Sequence, residues 1–229
     1  MGWKTQTILV RPAALDGGPD RLLADLGYDK RHRIDDASFE SAGLGSIWIG
    51  SIDVCIIIYT PFAFNFFDDD EADVREFTDF KNALFRQFPE ADIAALTLHS
   101  VINHWGFAIF RRGTLTRRQH GHDGNVVCDE GPRLPVEESY ISRFQRIETG
   151  GQIKYQDINH PEYGDMTDSD FGEPLVFEIC RSFTGFPLDS REVNEASGTN
   201  FWLNNSELRS LAPPNALASP ARPWWRFWG

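Results

Sequence analysis

Apolar positions along the chain fall into short aromatic and β-branched runs broken by glycine-bearing turns, and the densest series lies between residues 98 and 137. Residues 105–110 form one such run, Arg112-Gly113 is a turn signal, and residues 114–118 alternate. Asp123-Gly124-Asn125 then turns the chain into Val126-Val127-Cys128, so the pattern predicts an antiparallel meander over about 95–129. Turns at this spacing fix strand register locally, and the rest of the chain can assemble around them.

Upstream, residues 5–10 read as a strand that Pro12 ends. A helix follows, with Pro19 near its start, Leu22, Leu23 and Leu26 on one face, and Gly27 as its C-terminal cap. Residues 28–45 are polar and of mixed charge, a loop or an edge strand. The runs 46–49 and 54–59, separated by Gly50-Ser51-Ile52-Asp53, predict a hairpin whose second strand is buried on both faces. Phe77, Phe80, Leu84 and Phe88 recur at helical spacing before Pro89, and residues 92–99 form the strand that enters the meander.

Downstream, the two prolines of 131–137 predict a turn, 140–152 a short helix, and 155–169 an exposed loop. Asp170 and Glu173 have capping-box spacing before a helix whose apolar face is Leu175, Val176, Ile179, Cys180 and Phe183, ending at Gly185. Residues 188–203 carry no decisive period. The expected fold is α+β: a mostly antiparallel sheet flanked by two or three helices, in one domain over 1–211, with a Pro/Trp-rich tail over 212–229.

Composition adds a partner preference. With 34 acidic against 22 basic residues the net charge is −12, which disfavours nucleic acid and anionic lipid and favours a basic protein partner. Cys55, Cys128 and Cys180 are widely spaced inside apolar runs and read as core thiols in a reducing compartment. No stretch is apolar enough to span a bilayer and no basic-then-apolar leader opens the chain, so the expectation is a cytoplasmic protein.

Candidate chemistry concentrates in the meander. His99, His104, His120 and His122 lie within it, but no metal-ligand spacing accompanies them, and His120 and His122 are expected at an exposed hairpin end. Arg111, Arg112, Arg117 and Arg118 bracket the Gly113 turn and read first as edge protection or as partners for nearby Asp and Glu side chains, while Arg112, Arg117, Arg118, His120 and His122 are the best pointer to an anion- or partner-binding surface. Asp68-Asp69-Asp70-Glu71 reads as a helix start, and the loop at Gly17-Gly18 matches no phosphate-binding fingerprint. Trp224, Trp225 and Trp228 of the tail suggest aromatic docking or self-association. No cofactor or metal is expected, and no catalytic residue is assigned.

Leu98, His99, Ser100, Val101, Phe107, Gly113, Arg118, Gly131, Leu134 and Glu137, together with the opening Met1-Gly2-Trp3-Lys4, carry a resemblance. The chain, best over residues 95–137, resembles an uncharacterised family of small bacterial proteins filed as a domain of unknown function. The resemblance implies the strand-and-turn framework and carries over no catalytic residue. The leading functional expectation is a non-enzymatic binding protein, of immunity type, for a basic partner. The alternative is a small hydrolase or anion-binding enzyme that uses His99, His104 or His120 with a nearby acid and the Arg117 and Arg118 pair.

Overall fold

The computed structural model describes residues 4–28, 32–43, 45–67, 75–149 and 152–202. In chain order its elements are β1 (Lys4–Arg11), α1 (Gly18–Asp25), β2 (His32–Ser38), β3 (Ser46–Ile52), β4 (Cys55–Tyr59), α2 (Arg75–Gln87), β5 (Asp92–His99), β6 (His104–Arg111), β7 (Thr114–His122) and β8 (Asn125–Glu130). They continue with α3 (Pro135–Ile141), β9 (Phe144–Thr149), β10 (Gln152–Asp157), β11 (Asp165–Met166), α4 (Gly172–Thr184), α5 (Arg191–Asn194) and β12 (Ser197–Trp202). Nine strands form one sheet in the order β2-β12-β3-β4-β1-β5-β6-β7-β8, and β11-β10-β9 form a second. All pairings are antiparallel, so the fold is α+β.

The central strands are continuous apolar runs because both faces of the large sheet are covered. Alternation along each strand sends successive side chains to two different cores. Ile8, Val10, Ile56, Ile58, Ile93, Ala95, Ala108 and Phe110 meet Leu22, Leu23, Phe80 and Leu84 of α1 and α2 on one face. Leu9, Ile57, Leu96, Leu98, Phe107 and Ile109 meet Leu175, Val176 and Ile179 of α4 on the other. Over that second face the small sheet adds Phe144 and Tyr155, whose rings lie 4.9 and 4.8 Å from Phe171. Among the described residues no helix is long and apolar enough to cross a membrane.

Several ends follow sequence chemistry. Gly185, at φ 86, caps α4 in the left-handed region and donates to Arg181 O. Arg11 adds a second cap, donating from Nη1 to Ser182 O at 3.2 Å and Phe183 O at 2.7 Å, where the helix dipole favours a cation.

Other expectations are corrected. The stretch 140–152 is not a helix: α3 starts earlier, at Pro135, and Phe144 opens a strand because its ring is drawn into the aromatic cluster on Phe171. The 155–169 stretch contains strand, with Tyr155 buried. The hairpin between β3 and β4 turns at Asp53-Val54, with Asp53 at φ 51, because β3 runs on through Ile52. Asp170 does not box with Glu173; it accepts from Thr167 N and Oγ1, and α4 begins after it at Gly172. The ambiguous 188–203 stretch supplies β12, which enters the large sheet between β2 and β3. The acidic run 68–71 and the tail with Trp224, Trp225 and Trp228 lie outside the described residues.

At Gly172, the start of α4, the helix backbone packs directly on Trp105 of β6. A Cβ there would stand 1.9 Å from the Trp105 ring, which is itself 1% exposed. Gly172→Ala is expected to cost about 1–3 kcal/mol through this overlap, read as a lower urea midpoint. An unchanged midpoint would show that the ring is not seated there.

Candidate functional site

The β6–β7 hairpin divides the arginines expected to form one basic patch. Arg112 and Gly113 make the turn with φ of 51 and 73, leaving Arg111 and Arg112 at its exposed tip. Arg112 pairs with Glu90 at 3.2 Å, and Arg111 with its cross-strand neighbour Asp92 at 3.5 Å. The pairing then slips by one residue at Thr116, and Ile109 faces Arg117 while Ala108 faces Arg118. Adjacent residues of a strand point to opposite faces, so Arg117 and Arg118 serve different cores.

Arg117 is enclosed. Its side chain is 0% exposed and that of Glu137 1%. Nε donates to both Glu137 oxygens at 2.9 and 3.1 Å, and Nη2 donates to Oε1 at 2.7 Å. Nη1 donates to Asp129 and to Glu130 O at 3.0 Å, while the guanidinium lies 5.7 Å from the Phe107 ring centre. Burial pushes the guanidinium pKa down, but the hydrogen bonds with Glu137 and Asp129 outweigh it and the net direction is up. Arg118, 4% exposed, donates to Glu130 Oε2 at 2.8 Å and to Phe67 O at 3.2 Å. Neither arginine lies on an open anion-binding surface.

The histidines do come together. His99 and His104 are cross-strand partners, with Lys4 opposite His99 on β1. One row along, Gln6, Thr97, Gly106 and His120 are successive partners across β1, β5, β6 and β7. This polar lattice is on the α1/α2 face, where the Phe67 ring lies 6.0 Å from His120. Thr97, His99 and His104 are 1%, 3% and 5% exposed. Among the described residues, Gln6 Oε1 and Thr97 Oγ1 have no hydrogen-bond partner. Burial, then the neighbouring His120, His122 and His99, lowers the His104 pKa to about 4. Burial and Lys4 also lower that of His99. His122 is exposed, with Nδ1 3.2 Å from Asp123.

Three of the four histidines thus share a buried face with Arg118, while Arg117 is on the other face with Glu137. Among the described residues no group of three or more His, Cys, Asp or Glu side chains is placed to hold a metal ion. Glu137 is legible in the sequence as a resemblance position, but its role as the counter-ion of Arg117 is what sequence reasoning missed. Its signal was Pro135 two positions before it, a helix start with a carboxylate in the first turn, where Glu137 Oε2 accepts from Leu134 N at 2.8 Å.

Residues 53–157 match a family of unknown function, DUF6928. No curated protein and no solved structure is significantly similar to the chain. The DUF6928 match contains the resemblance over 95–137 and extends it to β4 at one end and β10 at the other. The histidine lattice on β5–β7 and the Arg117–Glu137 pair lie inside it, whereas β1, β2, β3, α4 and β12 lie outside.

A neutral buried imidazole ties stability to pH. The unfolded chain binds a proton near 6.5 and folded His104 near 4, so between these values the unfolded state holds more protons. Stability is expected to be full above that window and to decline as pH falls through it, by about 1–3 kcal/mol for this group. Urea midpoints across the window test this against His104→Leu, whose decline should be shallower. Equal slopes would assign the acid sensitivity to other groups.

Proposed function

We propose that the protein is a non-enzymatic binding protein that takes up a basic protein partner, in the manner of an immunity protein neutralising a toxin. The observation that supports this reading is the β2 edge of the large sheet. One side of β2 is paired to β12 and the other is open among the described residues. Ile34 and Trp202, 45% and 41% exposed, share one face of these two strands. Asp35 and Asp36 follow Ile34, both exposed; Asp35 accepts from Arg33 of the same strand, and Asp36, at φ 52 where the register to β12 shifts, adds a second carboxylate to the edge. An open edge with an apolar pair framed by carboxylates offers backbone hydrogen bonds, buriable area and charge steering to a cationic partner.

A hydrolase or anion-binding enzyme is the second reading, and the shared face of His99, His104 and His120 is what favours it. Two features weigh against it. Arg117 is bound to Glu137 on the opposite face, and an imidazole whose pKa is about 4 is a weak general base at neutral pH.

The test is capture from lysate on the immobilised full-length protein. The reading predicts a retained protein of basic composition that elutes as salt rises, and at least roughly tenfold weaker retention by Asp35→Lys/Asp36→Lys. Retention indifferent to both salt and charge reversal would contradict it.

A further inference from the structure

Between α3 and the β9–β10 hairpin lies a groove of about 430 Å³, within the size range of small-ligand sites. Ile141, Phe144, Ile153 and Tyr155 supply its apolar surface, and Arg133 and Arg146 supply two guanidinium groups. Strand alternation accounts for the mixture. Phe144 and Arg146 are two apart on β9, Arg146 faces Tyr155 across the hairpin, and Ile153 is two before Tyr155. Ile153 is 38% exposed, so the groove is open to solvent.

Its charge runs against that of the whole chain. Arg111, Arg112, Arg117 and Arg118 each face an acid. Among the described residues, by contrast, Arg133 and Arg146 have no carboxylate partner. Nearby, the Arg143 guanidinium stacks 4.6 Å from the Tyr140 ring centre. One acid, Glu138, also lines the groove, and beyond the lining the exposed Glu148, which faces Ile153 across the hairpin, is offset by Arg143, so a single positive excess is left. Two guanidinium groups beside an apolar floor match a ligand with one anionic head and an apolar body.

We propose that this groove binds an organic monoanion of that kind, a medium-chain acyl carboxylate, with its head between Arg133 and Arg146 and its chain along Ile141, Phe144 and Ile153. The site shares no residue with the β2 edge and does not rest on the reading given for it.

The test is titration of the full-length protein with octanoate, followed by amide NMR shifts and calorimetry. The expected result is saturable binding with shifts centred on residues 133–155. Arg133→Ala/Arg146→Ala should weaken it at least roughly tenfold, and octanamide, with the same body and no charge, should bind correspondingly less. Arg21→Ala, on α1, should leave the affinity unchanged. The proposal is overturned if octanoate does not bind, if octanamide binds as well, or if the folded double variant keeps the parent affinity.

Discussion

The bidentate pair of Arg117 and Glu137 joins the two parts of the structure that local sequence does not join. Arg117 belongs to β7 near one end of the large sheet, and Glu137 to the first turn of α3, which leads into the small sheet. Enclosing both charges costs several kcal/mol per ion in lost hydration, which only near-ideal geometry offsets. The required acceptors are present: two carboxylate oxygens of Glu137, Asp129 and the carbonyl of Glu130. Because those acceptors come from β8 and from the first turn of α3, the pair fixes the path of the chain from the sheet edge to the helix. Tyr140, Phe144 and Tyr155 are thereby brought onto Phe171, beside the groove at α3.

The same alternation that gives Arg117 this role removes it from the histidines. One-residue steps along β7 assign Arg117 and Gln119 to one face, and Arg118 and His120 to the other. A basic cluster in the sequence therefore becomes two separate structural struts, and a scattered set of histidines becomes one buried lattice. Gly106 is needed in that lattice because a Cβ there would meet His120 Cβ at 2.8 Å and the Phe67 ring at 3.1 Å. The histidine face is thus closely packed. The open features lie elsewhere, at the β2 edge and the α3 groove.

Local chemistry made much of this legible. The turns at Arg112-Gly113 and Asp123-Gly124, the doubly buried β4 and the C-terminal glycines of α1 and α4 were readable because each depends on neighbours in sequence. What could not be read depends on distant partners. Phe144 begins a strand because Phe171 receives its ring, and β12 gains its place only by pairing with β2 and β3, more than a hundred positions earlier. Likewise β1 lies between β4 and β5, so the DUF6928 match from β4 onward is completed in the sheet by a strand outside it. The partner of Arg117 belongs to the same class, since a buried charge announces its need for a counter-ion but not which carboxylate supplies it.

A double-mutant cycle on Arg117→Met and Glu137→Leu, measured by urea unfolding, tests the role of this pair most directly. Each single change should cost about 3–5 kcal/mol by stranding a buried charge, and the double variant should recover at least about 1 kcal/mol of the summed loss. Strictly additive costs, or a Glu137→Leu protein as stable as the parent, would mean that the two residues act independently and that the join between the sheet and α3 rests on other contacts.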